Sequence, residues 1–589
     1  MQRTFLIIID ALLMLVFGII NPDSAYSQSI RFGSIPSLQL NLGHTGAVNA
    51  VAFAPNGQFF VTASADATVR VWSVADRCLL RVLMGHAGAV RAVAVSPDSQ
   101  TILSAGDDNR LIGWSPVTDS PTLTLPLTAP AYALAIAPNG QQVAIGQADG
   151  RLGLWTVGTE TARFIALQPD HKRLTALAFN ADGSRLLIGD QVGAVWLLTA
   201  EGKAVAENKQ AHRGAVRWVG FGPDKSPFSG GEDKLLHRWP ASLMKSAQSF
   251  AHPGWVTGAS FASDNQLITA CNDGNLRRWN LIDGRNGPTI SAGAGALAAI
   301  AGQLNGTLIA TGGFNQTVGL WDVETKQANM LTKSRSVRIV EALNDSTLAL
   351  AGPGRGTRVV MRNGGFVWLA SSEPKQAAEV INRPNQRERA VLTNGQVKLV
   401  ADRDTTALPE RHRSGVRVVC YGPSGLLFTG GADGSVIAWD TDTQQILNRL
   451  VGKELPVLLL DFDRLLGEVF VITSDRTARL WNPATGQVTL VSTPPAVSAR
   501  LGSRSVLVVS ADGSLRILDR ETRDETHRLT VFGDGETRPD WLLQTADGRY
   551  DGSETALRSG YVVEGFKRSP LDPGRRQVGL LQTVLGVIR

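Results

Sequence analysis

The chain has 589 residues, of which 43% are hydrophobic and 19% charged, a composition typical of a folded multidomain protein. Its 58 basic and 52 acidic residues give a net charge of only +6 without a basic block, which argues against nucleic acid as a partner. The cysteines Cys78, Cys271 and Cys420 lie far apart and match no zinc, haem or disulfide-rich spacing. We therefore expect three buried thiols rather than a disulfide scaffold.

The N-terminus has the layout of a secretory signal peptide. An apolar stretch at residues 5–20 follows Arg3, and it is short for a membrane span, which needs about 20 residues. The small residues Ala25 and Ser27 then occupy the places that signal peptidase reads before its cut. We expect residues 1–27 to be removed and the mature chain to be exported without membrane insertion, with retention as an anchor as the alternative.

An eight-residue segment that usually ends in tryptophan recurs along the chain at intervals of 37 to 43 residues. One copy, ADATVRVW, ends at Trp72, and another, ADGSVIAW, ends at Trp439. The end positions of all copies are Trp72, Trp114, Trp155, Leu198, Trp239, Trp279, Trp321, Met361, Val400, Trp439, Trp481 and Leu518. A steady period of about 40 residues over most of a chain is the signature of a repeat protein.

Within each repeat the pattern predicts β-strands. Residues 48–74 alternate apolar and polar side chains, and Asn56-Gly57, Asn139-Gly140 and Asp182-Gly183 separate apolar runs as hairpin turns do. Each repeat therefore predicts four short antiparallel strands. Because one such sheet cannot bury both of its faces, we expect the sheets to stand radially around an axis and to cover one another.

Two further residue types recur in phase with the tryptophan. A histidine precedes each of several repeats, as in Gly43-His44 and Gly85-His86, and an aspartate lies six residues before the end position of eight repeats. The aspartates are Asp66, Asp108, Asp149, Asp233, Asp273, Asp433, Asp475 and Asp512. Over residues 37–530 this pattern resembles the WD-repeat family of β-propellers, with departures at Leu198, Met361 and Val400.

The resemblance implies a structural role for these polar residues. In the family the tryptophan ends the third strand, the aspartate accepts hydrogen bonds in a turn, and the histidine links it to the tryptophan or to a Ser or Thr. A residue needed for catalysis need occur only once, whereas a residue that builds every blade must recur. We therefore expect no catalytic residues, no metal site and no cofactor.

The resemblance predicts an all-β fold with two tandem WD-repeat propellers. Residues 37–327 would form a propeller of seven blades, with Ser37–Leu42 completing the last blade. Residues 328–566 would form a more degenerate propeller of about six or seven blades, with Trp541–Gly565 as the sixth, and residues 567–589 would form a tail.

The C-terminal region carries a second resemblance. The residues Asp540-Trp541 and Tyr550–Ser553 resemble a segment that follows propellers in bacterial WD-repeat/caspase-like proteins. No cysteine follows Cys420 in the sequence, so we expect the peptidase domain, which needs a cysteine nucleophile, to be absent. The resemblance implies a bacterial source and, with the signal peptide, a periplasmic location.

The function that follows is a non-catalytic, protein-binding scaffold. A propeller that binds a small ligand or glycan, and a propeller enzyme such as a hydrolase or a quinone-dependent dehydrogenase, are the alternatives. The partner is expected to be a protein, whose identity the sequence leaves open.

Five residues are candidates for the partner-binding face. Trp255 follows the histidine loop of its repeat, at a place where the first repeat has alanine. Arg91, Arg217 and Arg417 each come one residue after the first core residue of a repeat, and Trp218 follows Arg217. Exposed Trp and Arg are enriched at protein interfaces; the alternative is ordinary packing and solvated charge.

Overall fold

The computed structural model describes residues 38–39, 43–167, 172–243, 248–292, 295–303 and 307–325, and shorter stretches between 328 and 576. Strands make up the regular structure of these residues, and the strands pair antiparallel in thirteen sheets. The fold is all-β, as predicted. The predicted signal peptide lies outside the described residues, and no described helix has the length and apolar character of a membrane span.

The first strand, β1 (Leu38–Gln39), precedes seven sheets of four strands each, in which the strands follow chain order. Sheet 1 contains β2 (Val48–Phe53), β3 (Phe59–Ser64), β4 (Thr68–Ser73) and β5 (Leu79–Met84); sheet 2 contains β6 (Val90–Val95), β7 (Ile102–Gly106), β8 (Arg110–Trp114) and β9 (Pro121–Pro126). Sheet 3 contains β10 (Ala131–Ile136), β11 (Gln142–Gln147), β12 (Arg151–Thr156) and β13 (Arg163–Ala166); sheet 4 contains β14 (Leu174–Phe179), β15 (Arg185–Asp190), β16 (Val195–Thr199) and β17 (Ala204–Asn208). Sheet 5 contains β18 (Val216–Phe221), β19 (Pro227–Gly231), β20 (Leu235–Arg238) and β21 (Gln248–Ala251); sheet 6 contains β22 (Val256–Ser263), β23 (Gln266–Cys271), β24 (Asn275–Asn280) and β25 (Ile290–Ser291); sheet 7 contains β26 (Leu297–Gly302), β27 (Leu308–Gly313), β28 (Val318–Asp322) and β29 (Ala328–Met330).

Six further sheets follow, the last of which includes β1. Sheet 8 contains β30 (Arg338–Asn344), β31 (Thr347–Ala351), β32 (Thr357–Arg362) and β33 (Gly365–Leu369); sheet 9 contains β34 (Glu379–Asn382), β35 (Arg389–Thr393), β36 (Gln396–Ala401) and β37 (Asp404–Ala407). Sheet 10 contains β38 (Val416–Tyr421), β39 (Leu426–Gly431), β40 (Val436–Asp440) and β41 (Gln445–Leu450); sheet 11 contains β42 (Val457–Asp463), β43 (Glu468–Thr473), β44 (Ala478–Trp481) and β45 (Val488–Ser492). Sheet 12 contains β46 (Ala496–Leu501), β47 (Ser505–Ser510), β48 (Leu515–Asp519), β49 (Glu525–Phe532), β50 (Asp540–Thr545) and β51 (Tyr550–Gly552). In sheet 13, β52 (Tyr561–Glu564) lies between β1 and β53 (Lys567–Pro570).

The predicted repeat corresponds to these sheets. Each of the twelve repeat end positions lies in, or directly after, the third strand of one sheet, including Met361 in β32 and Val400 in β36. The hairpin turns are also confirmed, because Gly57, Gly140 and Gly183 have φ values of 70°, 71° and 74° between the first and second strands of their sheets. Four strands per repeat were therefore predictable from alternation and turn residues alone.

Sheets 1 to 7 form a closed ring. The first strand of each sheet packs against the first strand of the next, and β26 of sheet 7 packs against β2 of sheet 1. The apolar cluster at this closure joins Val48, Phe60 and Trp72 of sheet 1 to Val318 and Leu320 of sheet 7. Each sheet thus buries its two faces against its neighbours, and the first strands line the centre.

The prediction that Ser37–Leu42 completes the seventh blade is wrong. Sheet 7 takes all four strands from its own repeat, and β28 already pairs with β29 at the edge that an N-terminal strand would fill. The described part of the segment, Leu38–Gln39, pairs instead with Val562 and Tyr561.

The prediction of a separate sixth blade at Trp541–Gly565 is also wrong. The strand β49 is eight residues long, and its free edge pairs with β50 from His527↔Thr545 to Phe532↔Asp540. The strands β50 and β51 therefore extend sheet 12 to six strands, while β52 belongs to sheet 13.

The chain divides into two compact units. One comprises residues 32–374 and 494–589, and holds sheets 1 to 8, 12 and 13; the other holds sheets 9 to 11 within residues 375–493. Within the first unit sheet 8 packs against sheet 12, and within the second sheets 9, 10 and 11 pack in order. The expected boundary after residue 327 stays a prediction.

A buried chain of four polar side chains ties sheet 1 together. The Trp72 indole N–H donates to Thr62 Oγ1 (2.9 Å), and the same hydroxyl lies 2.7 Å from His44 Nε2. The other ring nitrogen, His44 Nδ1, lies 2.9 Å from Asp66 Oδ2. Corresponding chains occur in sheets 2, 5 and 10: Trp114–Ser104–His86–Asp108, Trp239–Ser229–His212–Asp233 and Trp439–Thr429–His412–Asp433. The structural interpretation of these histidines and aspartates is confirmed in these sheets.

Sheet 6 departs from this arrangement. His252 contacts Thr269 through Nε2 (2.9 Å), but its Nδ1 lies 3.0 Å from the Phe250 carbonyl oxygen. The aspartate of the sheet, Asp273, pairs with Arg277 instead. The histidine and the aspartate of a repeat can therefore each find hydrogen-bonding partners without contacting one another.

We expect Asp66→Ala to lower the free energy of unfolding by about 1–3 kcal/mol, because it strands buried donors. The side chain accepts hydrogen bonds from the Thr45 and Thr68 backbone N–H groups and contacts His44. Denaturant unfolding followed by far-UV circular dichroism measures the change. A variant of unchanged stability would contradict this role, and Asp76→Ala, at an exposed turn, is the control.

Stability should also depend on pH through His252. Burial lowers the pKa of His252 from 6.5 to about 4. The unfolded chain therefore binds a proton at a higher pH than the folded chain does, so stability contributed by the neutral ring is lost as pH falls from about 6.5 to about 4. His252→Gln should reduce the slope of unfolding free energy against pH in this window. An identical slope in wild type and variant would exclude His252 as the titrating group.

Candidate partner-binding face

A β-bulge interrupts the first strand of every sheet in the ring. In each case one residue, next to the first residue of the strand, has no pairing partner on the second strand. The bulge residues are Asn49, Arg91, Tyr132, Thr175, Arg217, Thr257 and Ala298. A bulge bends the strand and re-aims the extra side chain, which places Arg91 and Arg217 in one equivalent series.

The bulge residues lie on the same face of the ring. Two of them donate hydrogen bonds to backbone carbonyl oxygens of the next sheet. Asn49 Nδ2 donates to the carbonyl oxygen of Val90 (2.8 Å), and Thr175 Oγ1 donates to the carbonyl oxygen of Val216 (2.5 Å). The residue before each first strand and the turn between the second and third strands lie at the same end of each sheet. We call this end of sheets 1 to 7 the Trp255 face, after the exposed residue that directly precedes β22.

Arg217 and Trp255 meet across the boundary between sheets 5 and 6. The Arg217 guanidinium lies over the Trp255 ring, 5.8 Å from its centroid. Its Nε donates to Glu232 Oε1 (2.9 Å), and its Nη2 donates to the same oxygen. Trp255 remains 38% exposed. The carboxylate therefore compensates the charge of Arg217 and holds it beside an aromatic surface that solvent reaches.

Arg91 forms a similar arrangement further around the ring. Its guanidinium donates two hydrogen bonds to Asp107, at 3.0 and 2.6 Å, which raises the pKa of Arg91 above its usual value. Arg91 and Arg173 lie over the Tyr132 ring, at 5.4 and 4.2 Å from its centroid. Among the described residues, the buried Nε of Arg173 has no hydrogen-bond partner, and its guanidinium contacts the Tyr132 ring as a cation–π pair.

The remaining two predicted residues are placed differently. Trp218 is half-buried against the apolar cluster of Phe228 and Trp279, and its ring lies directly over Gly220. Arg417 is exposed at the bulge of sheet 10, which belongs to the other compact unit. The structure thus brings Arg217 and Trp255 together and places Arg91 on the same face, whereas Arg417 belongs to the other unit.

Three residues of this face had not been identified from the sequence. Tyr132 occupies the bulge place of sheet 3, and Arg173 precedes β14 as Trp255 precedes β22. Phe314, which is 48% exposed, lies in the turn after β27, where its N–H donates to the Ala296 carbonyl oxygen. The repeat phase carries a signal for all three, since aligned repeats have small or polar residues at most of these places.

The WD domain, G-beta repeat family matches residues 36–73, 77–115, 244–280 and 405–440. These segments fall on sheets 1, 2, 6 and 10, each of which contains the buried contact between a tryptophan and a Ser or Thr hydroxyl. These four segments of the chain are therefore WD40 repeats. Sheets 3, 4, 5 and 7 have the same order of four strands as these sheets.

Curated relatives of this WD40 protein share its repeats at low identity. WD repeat-containing protein 1 of Gallus gallus is 27% identical over 164 residues, covering 25% of this chain and 26% of the relative. Apoptotic protease-activating factor 1 of Rattus norvegicus is 21% identical over 283 residues, covering 48% of this chain and 19% of the relative. WD repeat-containing protein 90 of Mus musculus is 28% identical over 178 residues, covering 30% of this chain and 8% of the relative. The chain thus spans about a quarter or less of the length of these relatives.

Proposed function

We propose that this WD40 protein is a non-catalytic scaffold that binds a protein partner through the Trp255 face. The observation that carries the proposal is the Arg217–Trp255 pair. An indole that is more than one-third exposed lies beside a charge-compensated guanidinium at a place where the fold needs neither residue. Trp and Arg are the side chains most enriched among the residues that dominate binding energy.

The surroundings of this pair support a preformed contact surface. Phe314 is exposed on sheet 7, next to sheet 6 in the ring, so two aromatic side chains project from neighbouring sheets. Arg217 is already held by Glu232, and the backbone N–H of Trp255 donates to Asn272 Oδ1 (2.7 Å). A partner therefore loses less free energy to the ordering of this surface than it would with mobile side chains.

The non-catalytic part of the proposal rests on the family and on where the titratable residues lie. WD40 repeats are generally non-catalytic, and the histidines of sheets 1, 2, 5 and 10 contact the aspartates and hydroxyls of their own sheets. These side chains contribute to stability in several equivalent copies. Binding, rather than chemistry, is the function that this arrangement favours.

We also propose that residues 328–566 include a second propeller. The repeat period continues to Leu518, sheet 8 packs against sheet 12, and sheets 9 to 11 pack in chain order. The exposed Arg417 occupies in sheet 10 the bulge place that Arg217 occupies in sheet 5. This second ring would offer a further partner surface of its own.

The proposed compartment is the bacterial periplasm, reached through cleavage after Ser27. We expect protein purified from a bacterial host to have the intact mass of residues 28–589 and to yield Gln28 as its first residue. Ser27→Leu, which places a bulky residue at the cut, should leave the precursor unprocessed. Recovery of the wild-type protein with residues 1–27 attached would instead identify an N-terminal anchor.

The double variant Trp255→Ala, Arg217→Ala should abolish partner capture. Loss of such a pair at the centre of an interface costs about 2 kcal/mol or more, roughly a 30-fold weaker complex. Periplasmic extract is passed over immobilised wild type and variant, specifically retained proteins are identified by mass spectrometry, and their affinities are measured with purified partner.

Sheet 6 supplies a matched control. Ile282 is 74% exposed and follows β24, so it lies at the opposite end of the sheet from Trp255, near the exposed Arg285. Ile282→Ala, Arg285→Ala removes the same classes of side chain and should leave capture and the thermal midpoint unchanged. Equal capture by both double variants would place the binding surface elsewhere, and a large fall in midpoint for Trp255→Ala alone would show a packing role.

A further inference from the structure

Sheet 5 contains a cluster of three potential ligands, two from its repeat pattern and a third, His237, that the pattern does not require. His212 precedes β18, Asp233 lies in the turn between β19 and β20, and His237 lies within β20. One ligand atom from each of the three side chains lies within 4.8 Å of the other two. The centroids of the His212 and His237 imidazole rings are 4.9 Å apart. Unlike His212, His237 does not belong to the repeated histidine positions.

His237 occupies a place that arginine takes in other sheets. In sheets 1, 6 and 11 the residue two before the tryptophan is an arginine that pairs with the aspartate of the same sheet. These pairs are Arg70–Asp66, Arg277–Asp273 and Arg479–Asp475. In sheet 5 the corresponding side chain is the imidazole of His237, which, unlike a guanidinium, is not permanently charged. Asp233 therefore lacks the permanent positive charge that its equivalents have at neutral pH.

The hydrogen bonding of His237 leaves one nitrogen available. Its Nδ1 lies 2.8 Å from Ser249 Oγ, and among the described residues its Nε2 has no hydrogen-bond partner. With the Nδ1 proton donated to the hydroxyl, Nε2 carries a free lone pair. A hydrogen bond of this kind on one nitrogen orients a histidine whose other nitrogen binds a metal.

We propose that His212, Asp233 and His237 bind one divalent transition-metal ion of the zinc type. Two imidazole nitrogens and one carboxylate oxygen, with water as a fourth ligand, are a donor set that Zn²⁺ accepts. The ion would supply beside Asp233 the positive charge that arginine supplies in sheets 1, 6 and 11. Asp233 lies at the Trp255 end of sheet 5, directly after Glu232, and the proposed metal site adds to the proposed function.

Binding would require a small local rearrangement. Zn²⁺ holds such ligands at about 2.0–2.2 Å, so atoms bound to one ion lie roughly 3–3.5 Å apart. The three side chains must therefore close from their present spacing. The ion would replace the proton between His212 Nδ1 and Asp233 Oδ1, which are 2.9 Å apart. The proton of His212 would move to Nε2, which lies 2.7 Å from the Ser229 hydroxyl and can donate to it.

Titration of the untagged full chain with Zn²⁺ tests the site. Isothermal titration calorimetry should show one bound ion per chain, and Co²⁺ should give visible absorption bands of a low-coordinate nitrogen–oxygen site. His237→Arg recreates the arrangement of sheets 1, 6 and 11 and should fold normally. It should weaken Zn²⁺ binding by more than the 10–100-fold typical of changes around a ligand.

Two further variants separate metal binding from folding. His237→Gln can keep a hydrogen bond to Ser249 without an imidazole ligand and should also lose the site. His527→Gln, at the other histidine outside the repeated positions, should bind as wild type does. Zn²⁺ should raise the thermal midpoint of wild type and His527→Gln only. Equal affinity in wild type and His237→Arg, or the absence of saturable binding to wild type, would overturn the proposal, whatever the outcome of partner capture.

Discussion

In five sheets one buried Ser or Thr hydroxyl contacts both the tryptophan of the third strand and the histidine that precedes the first strand. Thr62 in sheet 1 and Thr269 in sheet 6 each accept the indole N–H of the tryptophan on the third strand and contact the histidine before the first strand. The hydroxyl thereby joins two strands to the loop that enters the sheet. Because all these atoms are buried, loss of any partner leaves a polar group that water cannot reach.

This constraint also fixes the candidate binding face. His252 is tied to Thr269 only three residues before Trp255, so the loop that presents the indole is anchored in the core. The backbone of Trp255 is held in turn by Asn272 and exchanges hydrogen bonds with it. The buried hydrogen bonds therefore restrict the backbone that carries Trp255. A contact surface that is ordered before binding needs such a restriction.

Local patterns predicted the sheets because each repeat carries its own alternation, turn residues and tryptophan. They did not predict where Leu38–Gln39 and Trp541 would pair, because an alternating strand fits any open edge and only the folded structure shows which edges are free. The repeat phase aligned Arg91 with Arg217, and both lie at bulges of their first strands. It could not show that Asp107 and Glu232 form hydrogen bonds with these two arginines, nor that the Trp218 ring lies over Gly220. These contacts depend on the bend that the bulge gives the strand.

The recurrent bulge has a consequence for how this protein can diverge. A bulge residue does not pair with any residue of the second strand. Its side chain can therefore be replaced without altering the register of the sheet. The ring places Asn49, Arg91, Tyr132, Thr175, Arg217, Thr257 and Ala298 at seven such points. Single substitutions can therefore change the chemistry of the surface one sheet at a time, and new specificities can arise while the scaffold beneath them stays constant.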